Sequence, residues 1–157
     1  MLHFAYGSNM HRAIMRRHAP AAQPLGVAEL ADHHFVITAD GYASVEPARG
    51  AVVHGVLWRI TPRNRVTLDL WESVARGLYR AEILLVRHAA GHRPALVYVA
   101  RPCGEGRPKA GYMELVIAAA REWNFPENHI ASLEHWLPAA PLSVGPRKFP
   151  ELGGEES

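Results

Sequence analysis

The chain has 157 residues, 48% hydrophobic and 20% charged, which suits one core and is too apolar for a disordered segment. Lys and Arg number 17 against 15 Asp and Glu, a formal charge of +2 with no basic run longer than two residues. That argues against a nucleic-acid binder, which gathers its positive charge on one face. A single cysteine, Cys103, excludes an intramolecular disulfide and fits a reducing compartment. The N-terminus lacks the pattern of a signal peptide, and no run approaches the roughly 18 apolar residues of a membrane span. No membrane or nucleic-acid partner and a cytoplasmic location are therefore expected.

In chain order, Leu2 to Tyr6 reads as a strand broken by Gly7-Ser8-Asn9. A helix should follow, with Ser8 or Asn9 as its cap and Pro20 as its stop. Strand-like runs cover 25–30, 33–39, 43–46 and 51–60, separated by turn residues. Thr61-Pro62 provides an N-cap and a proline at the first helical position, opening a helix to about Glu72. A hairpin over 78–88 and 93–101 comes next, then helices over 109–123 and 126–136, each with an apolar stripe. Strands clustered rather than alternating with helices predict an α+β domain of about six strands, covering 1–140, with a loose tail over 141–157.

Two local patterns carry chemistry. Tyr6-Gly7-Ser8-Asn9 sits between a strand and a helix, where unpaired backbone N–H groups suit an anion or a developing oxyanion. A plain capped turn is the competing reading of those four residues. Leu68-Asp69-Leu70-Trp71-Glu72 places two carboxylates three residues apart on a helix, and the adjacent Trp71 would give Glu72 an apolar setting that raises its pKa. Solvated helix-end charges are the alternative here. The 10 histidines show no His-Glu-x-x-His spacing and there are no paired cysteines, so neither a metal nor another cofactor is expected. Cys103 lies in a turn-rich loop without an activating signature.

Together these pieces resemble the γ-glutamylcyclotransferase family, which includes the AIG2-like proteins. The resemblance runs from Phe4-Ala5-Tyr6-Gly7-Ser8-Asn9-Met10 through Val53-His54-Gly55-Val56 and Leu68-Asp69-Leu70-Trp71-Glu72 to Gly77-Leu78-Tyr79, covering residues 2–137. It implies a small mixed β-barrel flanked by helices, with Glu72 as the catalytic acid and base. Tyr6, Gly7, Ser8 and Asn9 would bind substrate, and Tyr79, Tyr98 and Tyr112 fall where the family places further pocket tyrosines. Family members often follow the glutamate with glycine, whereas Ser73 stands here.

The implied reaction converts a γ-glutamyl amino acid or amine into 5-oxoproline and the free amine. Tethering nucleophile and electrophile in one small-molecule substrate can replace about 7–11 kcal/mol of orientation cost. A binding protein that uses the same pocket as a receptor for a small anion is the competing expectation. An acid at Glu72 favours the enzyme, because a carboxylate receptor gains nothing from a buried negative charge. Assembly as a homodimer is left open.

Overall fold

The computed structural model describes residues 1–89 and 91–138. Its β-prone runs form β1 (Leu2–Ala5), β2 (Gln23–Ile37), β3 (Ala43–Arg59), β4 (Tyr79–His88) and β5 (Gly91–Ala100), closed into a barrel in the order β1-β3-β2-β4-β5. β1 pairs antiparallel with β3, from Leu2 opposite Arg59 to Ala5 opposite Val56, and parallel with β5 at His3 opposite Leu96. The other three pairings are antiparallel. This is the α+β architecture of a small mixed barrel, whose seams between β1 and β5 and between β2 and β4 each close at one residue pair.

Among the described residues, five strands replace the expected six or so because two turn signals, one on each strand, are the two sides of a single bulge. Ala31 faces Val52 and His33 faces Pro47, so Asp32 alone spans the same stretch as residues 48–51. Asp32 adopts a positive φ of 56°, and its carboxylate accepts the Gly50 N–H at 2.9 Å. A bulge of this kind bends a strand without ending it.

Among the described residues, four α-helices pack around the barrel: α1 (Arg12–His18), α2 (Pro62–Trp71), α3 (Tyr112–Glu122) and α4 (Glu127–Glu134). α2 starts as expected, with Thr61 Oγ1 accepting the Asn64 N–H at 3.1 Å and Asn64 Oδ1 accepting the Thr61 N–H at 3.2 Å. The expected caps of α1 are corrected. Ser8–Met10 is a separate short 3-10 turn, and α1 begins beyond His11 with no side-chain cap.

The core joins the inward faces of all five strands to α3 and α4, with Phe4, Leu57, Leu96, Met113 and Leu133 fully buried. Each such side chain contributes about 1.5–3 kcal/mol by leaving water. Gly55 is required inside this core, since a Cβ there would lie 2.5 Å from both the Ala5 carbonyl oxygen and the Phe4 ring. The expected tail over 141–157 lies outside the described residues.

Candidate active site

The end of β1 delivers Tyr6-Gly7-Ser8-Asn9 to one wall of a cavity of about 510 Å³. The Ser8–Met10 turn is closed by Met10 N–H to the Gly7 carbonyl at 3.1 Å and His11 N–H to the Ser8 carbonyl at 3.0 Å. Amide groups at the start of such a turn have no acceptor inside it, and that of Ser8 meets the Tyr112 hydroxyl oxygen. Gly7 owes its place to a close approach rather than to its φ of −114°. A Cβ at Gly7 would stand 2.8 Å from the Tyr112 hydroxyl.

Glu72 comes from the opposite side, at the C-terminal end of α2, where its N–H still bonds the Leu68 carbonyl at 2.9 Å. Ser73 then takes the left-handed conformation (φ 53°, ψ 44°), and after the short turn Val74–Arg76 so does Gly77, at φ 73°. These two reversals direct the chain into β4 and leave the Glu72 side chain on the cavity wall. Asn9 Nδ2 donates to Glu72 Oε1 at 3.4 Å. Burial pushes the Glu72 pKa up from 4.5 to about 7, since a poorly hydrated carboxylate is costly.

Two details differ from the sequence expectation. Trp71 is 57% exposed and stacks on His18 rather than forming an apolar bed for Glu72, with ring centroids 3.8 Å apart. The two carboxylates also serve different partners. Asp69 pairs with Arg65 Nε at 3.1 Å and accepts the Tyr98 hydroxyl at 2.6 Å, whereas Glu72 faces Asn9.

Tyr6, Tyr79, Tyr98 and Tyr112 all line this same cavity, and their hydroxyls are committed differently. Tyr6 donates to the Tyr98 carbonyl, Tyr79 to the Ala43 carbonyl at 2.7 Å, and Tyr98 to Asp69. Tyr112 instead accepts, taking the Ala43 N–H at 3.3 Å, with the Ser8 amide and side chain also facing it. Unlike the other three, it is tied to the Gly7–Asn9 turn itself. Burial pushes the Tyr112 pKa up to about 12 and those of the other three well above their usual range, so all four are protonated at neutral pH.

All eight residues singled out by sequence, Tyr6, Gly7, Ser8, Asn9, Glu72, Tyr79, Tyr98 and Tyr112, therefore surround one cavity. Sequence reasoning missed His18. Its Nδ1 donates to Asn9 Oδ1 at 3.2 Å, so the amide that meets Glu72 is held from behind. Burial, and secondarily the Arg17 charge, lowers the His18 pKa. The neutral ring supplies that one N–H at Nδ1. Only its position in the last turn of α1, nine residues after Asn9, could have hinted at this. Among the described residues, no three His, Cys, Asp or Glu side chains converge as a metal site, and no helix is long and apolar enough to cross a membrane.

Comparison with solved structures finds the same barrel elsewhere. A protein named gamma-glutamyl cyclotransferase superposes with a TM-score of 0.82 at 23% identity, covering 92% of this chain and 94% of that one. The human protein loc79017 gives 0.81 at 24% identity, covering 90% of each chain. YkqA from Bacillus subtilis gives 0.74 at 23% identity, with 86% of this chain matching 53% of that longer protein. No curated protein sequence matches the chain. The model of the AIG2-like family matches residues 52–133, a span that holds Glu72 and the elements from α2 through α3. Over half of its length fits that model, and the chain belongs to the AIG2-like family.

Proposed function

We propose that the protein is a γ-glutamyl cyclotransferase, releasing an amine from its γ-glutamyl conjugate as the glutamyl group closes to 5-oxoproline. The observation that carries this reading is a buried carboxyl group, Glu72, with a pKa near 7, in one cavity with the turn at Gly7–Asn9 and the Tyr112 hydroxyl. A general acid and base works best with a pKa close to the working pH.

Each group has a place in the reaction. Glu72 takes a proton from the substrate's α-ammonium, and the freed nitrogen lone pair attacks the γ-carbonyl carbon of the same molecule. As the new C–N bond forms, negative charge develops on the carbonyl oxygen, where the Gly7–Asn9 amides and the Tyr112 hydroxyl stabilise it. The oxyanion then collapses, the old C–N bond breaks, and Glu72 returns its proton to the departing nitrogen. The second surplus proton on the ring nitrogen then passes through the same carboxylate to the departing amine, which leaves as an ammonium. Both protons lost by the attacking nitrogen are thus accounted for, and no water is consumed. Tyr6, Tyr79 and Tyr98 have their protons committed elsewhere and act as walls that fix the substrate's fold.

The decisive test is turnover of γ-glutamyl amino acids in oxygen-18 water. Unlabelled 5-oxoproline is the expected product. Labelled glutamate would mean hydrolysis, and tight binding with no product would favour the receptor for a small anion.

A further inference from the structure

We propose that the cavity mouth selects conjugates whose leaving group is a bulky apolar α-amino acid, its side chain against Tyr42, Trp71 and Leu115 and its free carboxylate on Arg17. The inference rests on the cyclotransferase reading and adds to it the class of the departing amine.

The first observation is space. A γ-glutamyl group alone does not fill about 510 Å³, a volume within the range that takes drug-sized ligands. The second is the gradient along the cavity. Its inner wall holds the buried Phe4, Tyr6 and Tyr98 with Glu72, whereas at its mouth Tyr42, Trp71 and Leu115 remain 46%, 57% and 41% exposed.

A scattered exposed apolar side chain is ordinary, but these three converge on one opening. Two of them are also held in place before any ligand arrives. Tyr42 meets Tyr112 edge to face at 85° with centroids 5.4 Å apart, and Trp71 is stacked on His18. Rigid aromatic faces lose little freedom when a ligand packs on them.

The third observation is charge. Arg17 lines the cavity from the last turn of α1 and is exposed. Among the described residues it has no ion-pair partner, unlike Arg12, Arg65, Arg80, Arg87, Arg101 and Arg121. Its charge acts on the neighbouring His18, at the outer side of the Asn9–Glu72 pair. A planar guanidinium in that position suits a carboxylate carried by the leaving group.

Three probes isolate the two contacts: γ-glutamylphenylalanine, γ-glutamylglycine, which lacks the apolar side chain, and γ-glutamylphenethylamine, which lacks the carboxylate. Binding is measured by calorimetry on the Glu72→Gln protein, which cannot exchange the proton, so that affinity is read without turnover. γ-Glutamylphenylalanine should bind about tenfold tighter than γ-glutamylglycine, as partial burial of a phenyl group requires.

Arg17→Gln should weaken the phenylalanine conjugate about two- to fivefold, the scale of an exposed charge pair, and leave the affinity for the phenethylamine conjugate unchanged. Arg16→Gln, one residue away and outside this cavity, controls for net charge. Equal affinity for the phenylalanine and glycine conjugates overturns the proposal. So does an Arg17→Gln loss of the same size for all three probes, since Arg17 would then hold the glutamyl carboxylate common to them. Wild-type protein that makes no 5-oxoproline from any probe defeats the cyclotransferase reading, and the affinity ranking still decides the ligand class.

Discussion

Glu72 combines a rate effect and a stability effect that can be measured separately. Glu72→Gln keeps size and hydrogen bonding but cannot carry the proton, so turnover should fall about 10²–10⁴-fold. Asp69→Asn should cost much less, because the amide oxygen it introduces can still accept the Tyr98 hydroxyl. For stability, the folded protein holds the Glu72 proton up to about pH 7 while the unfolded chain releases it near 4.5. The wild-type residue therefore destabilises the fold as pH rises through that window. Glu72→Gln should have the higher melting temperature at pH 8, and the difference should vanish near pH 4.5. The proposed mechanism needs Glu72 as a base, so wild-type kcat/KM should rise with an apparent pKa near 7, an ascending limb visible in a pH–rate profile.

Between elements, the reversal after α2 is built on a residue under conformational strain. Ser73 stands at φ 53°, a region that costs a side-chain-bearing residue about 1–2 kcal/mol. Ser73→Gly should raise the melting temperature by several degrees in thermal denaturation. At the position where the family often has glycine, Ser73 thus keeps a left-handed conformation that glycine adopts without strain.

α4 is docked by an acid-sensitive contact. His129 on α4 is 4.7 Å from His54 on β3, whose Nε2 faces Glu29 of β2, itself paired with Arg87 of β4. Burial, and then the His54 charge, lowers the His129 pKa to about 4, and burial does the same to His3 in β1. For such groups the unfolded chain binds more protons between pH 6.5 and 4, so their stability is intact above 6.5 and lost as pH falls. The fully buried His3 can remove on the order of 3 kcal/mol and the better solvated His129 less, opposed in part by Glu72. Melting temperature should fall from pH 7 to 4.5, and His129→Leu should flatten that slope.

For the molecule as a whole, what was legible in the sequence was what lies consecutively. Tyr6-Gly7-Ser8-Asn9 and the stretch ending in Glu72 each announce a turn and an acid by local chemistry. The helix start at Thr61-Pro62 did the same. Strand count was misjudged because Asp32 and Gly50 look like punctuation until they face each other across one ladder. His18, Tyr42 and Arg17 were illegible for a related reason. Each gains its role only from a neighbour brought to it by the fold.

The parallel contact of β1 with β5 carries a consequence for the order of assembly. β1 precedes the other four strands in the chain, yet its four residues have no place until strands ending at Arg59 and Ala100 exist to hold them on both sides. The long hairpins can zip locally and early, whereas this seam needs partners far along the chain. The loop that follows β1 therefore takes up its position at the cavity only when the seam shuts. The groups around the cavity come from β1, the end of α2, β4, β5 and α3, so the cavity is a late product of assembly, complete only when segments distant in the chain have met.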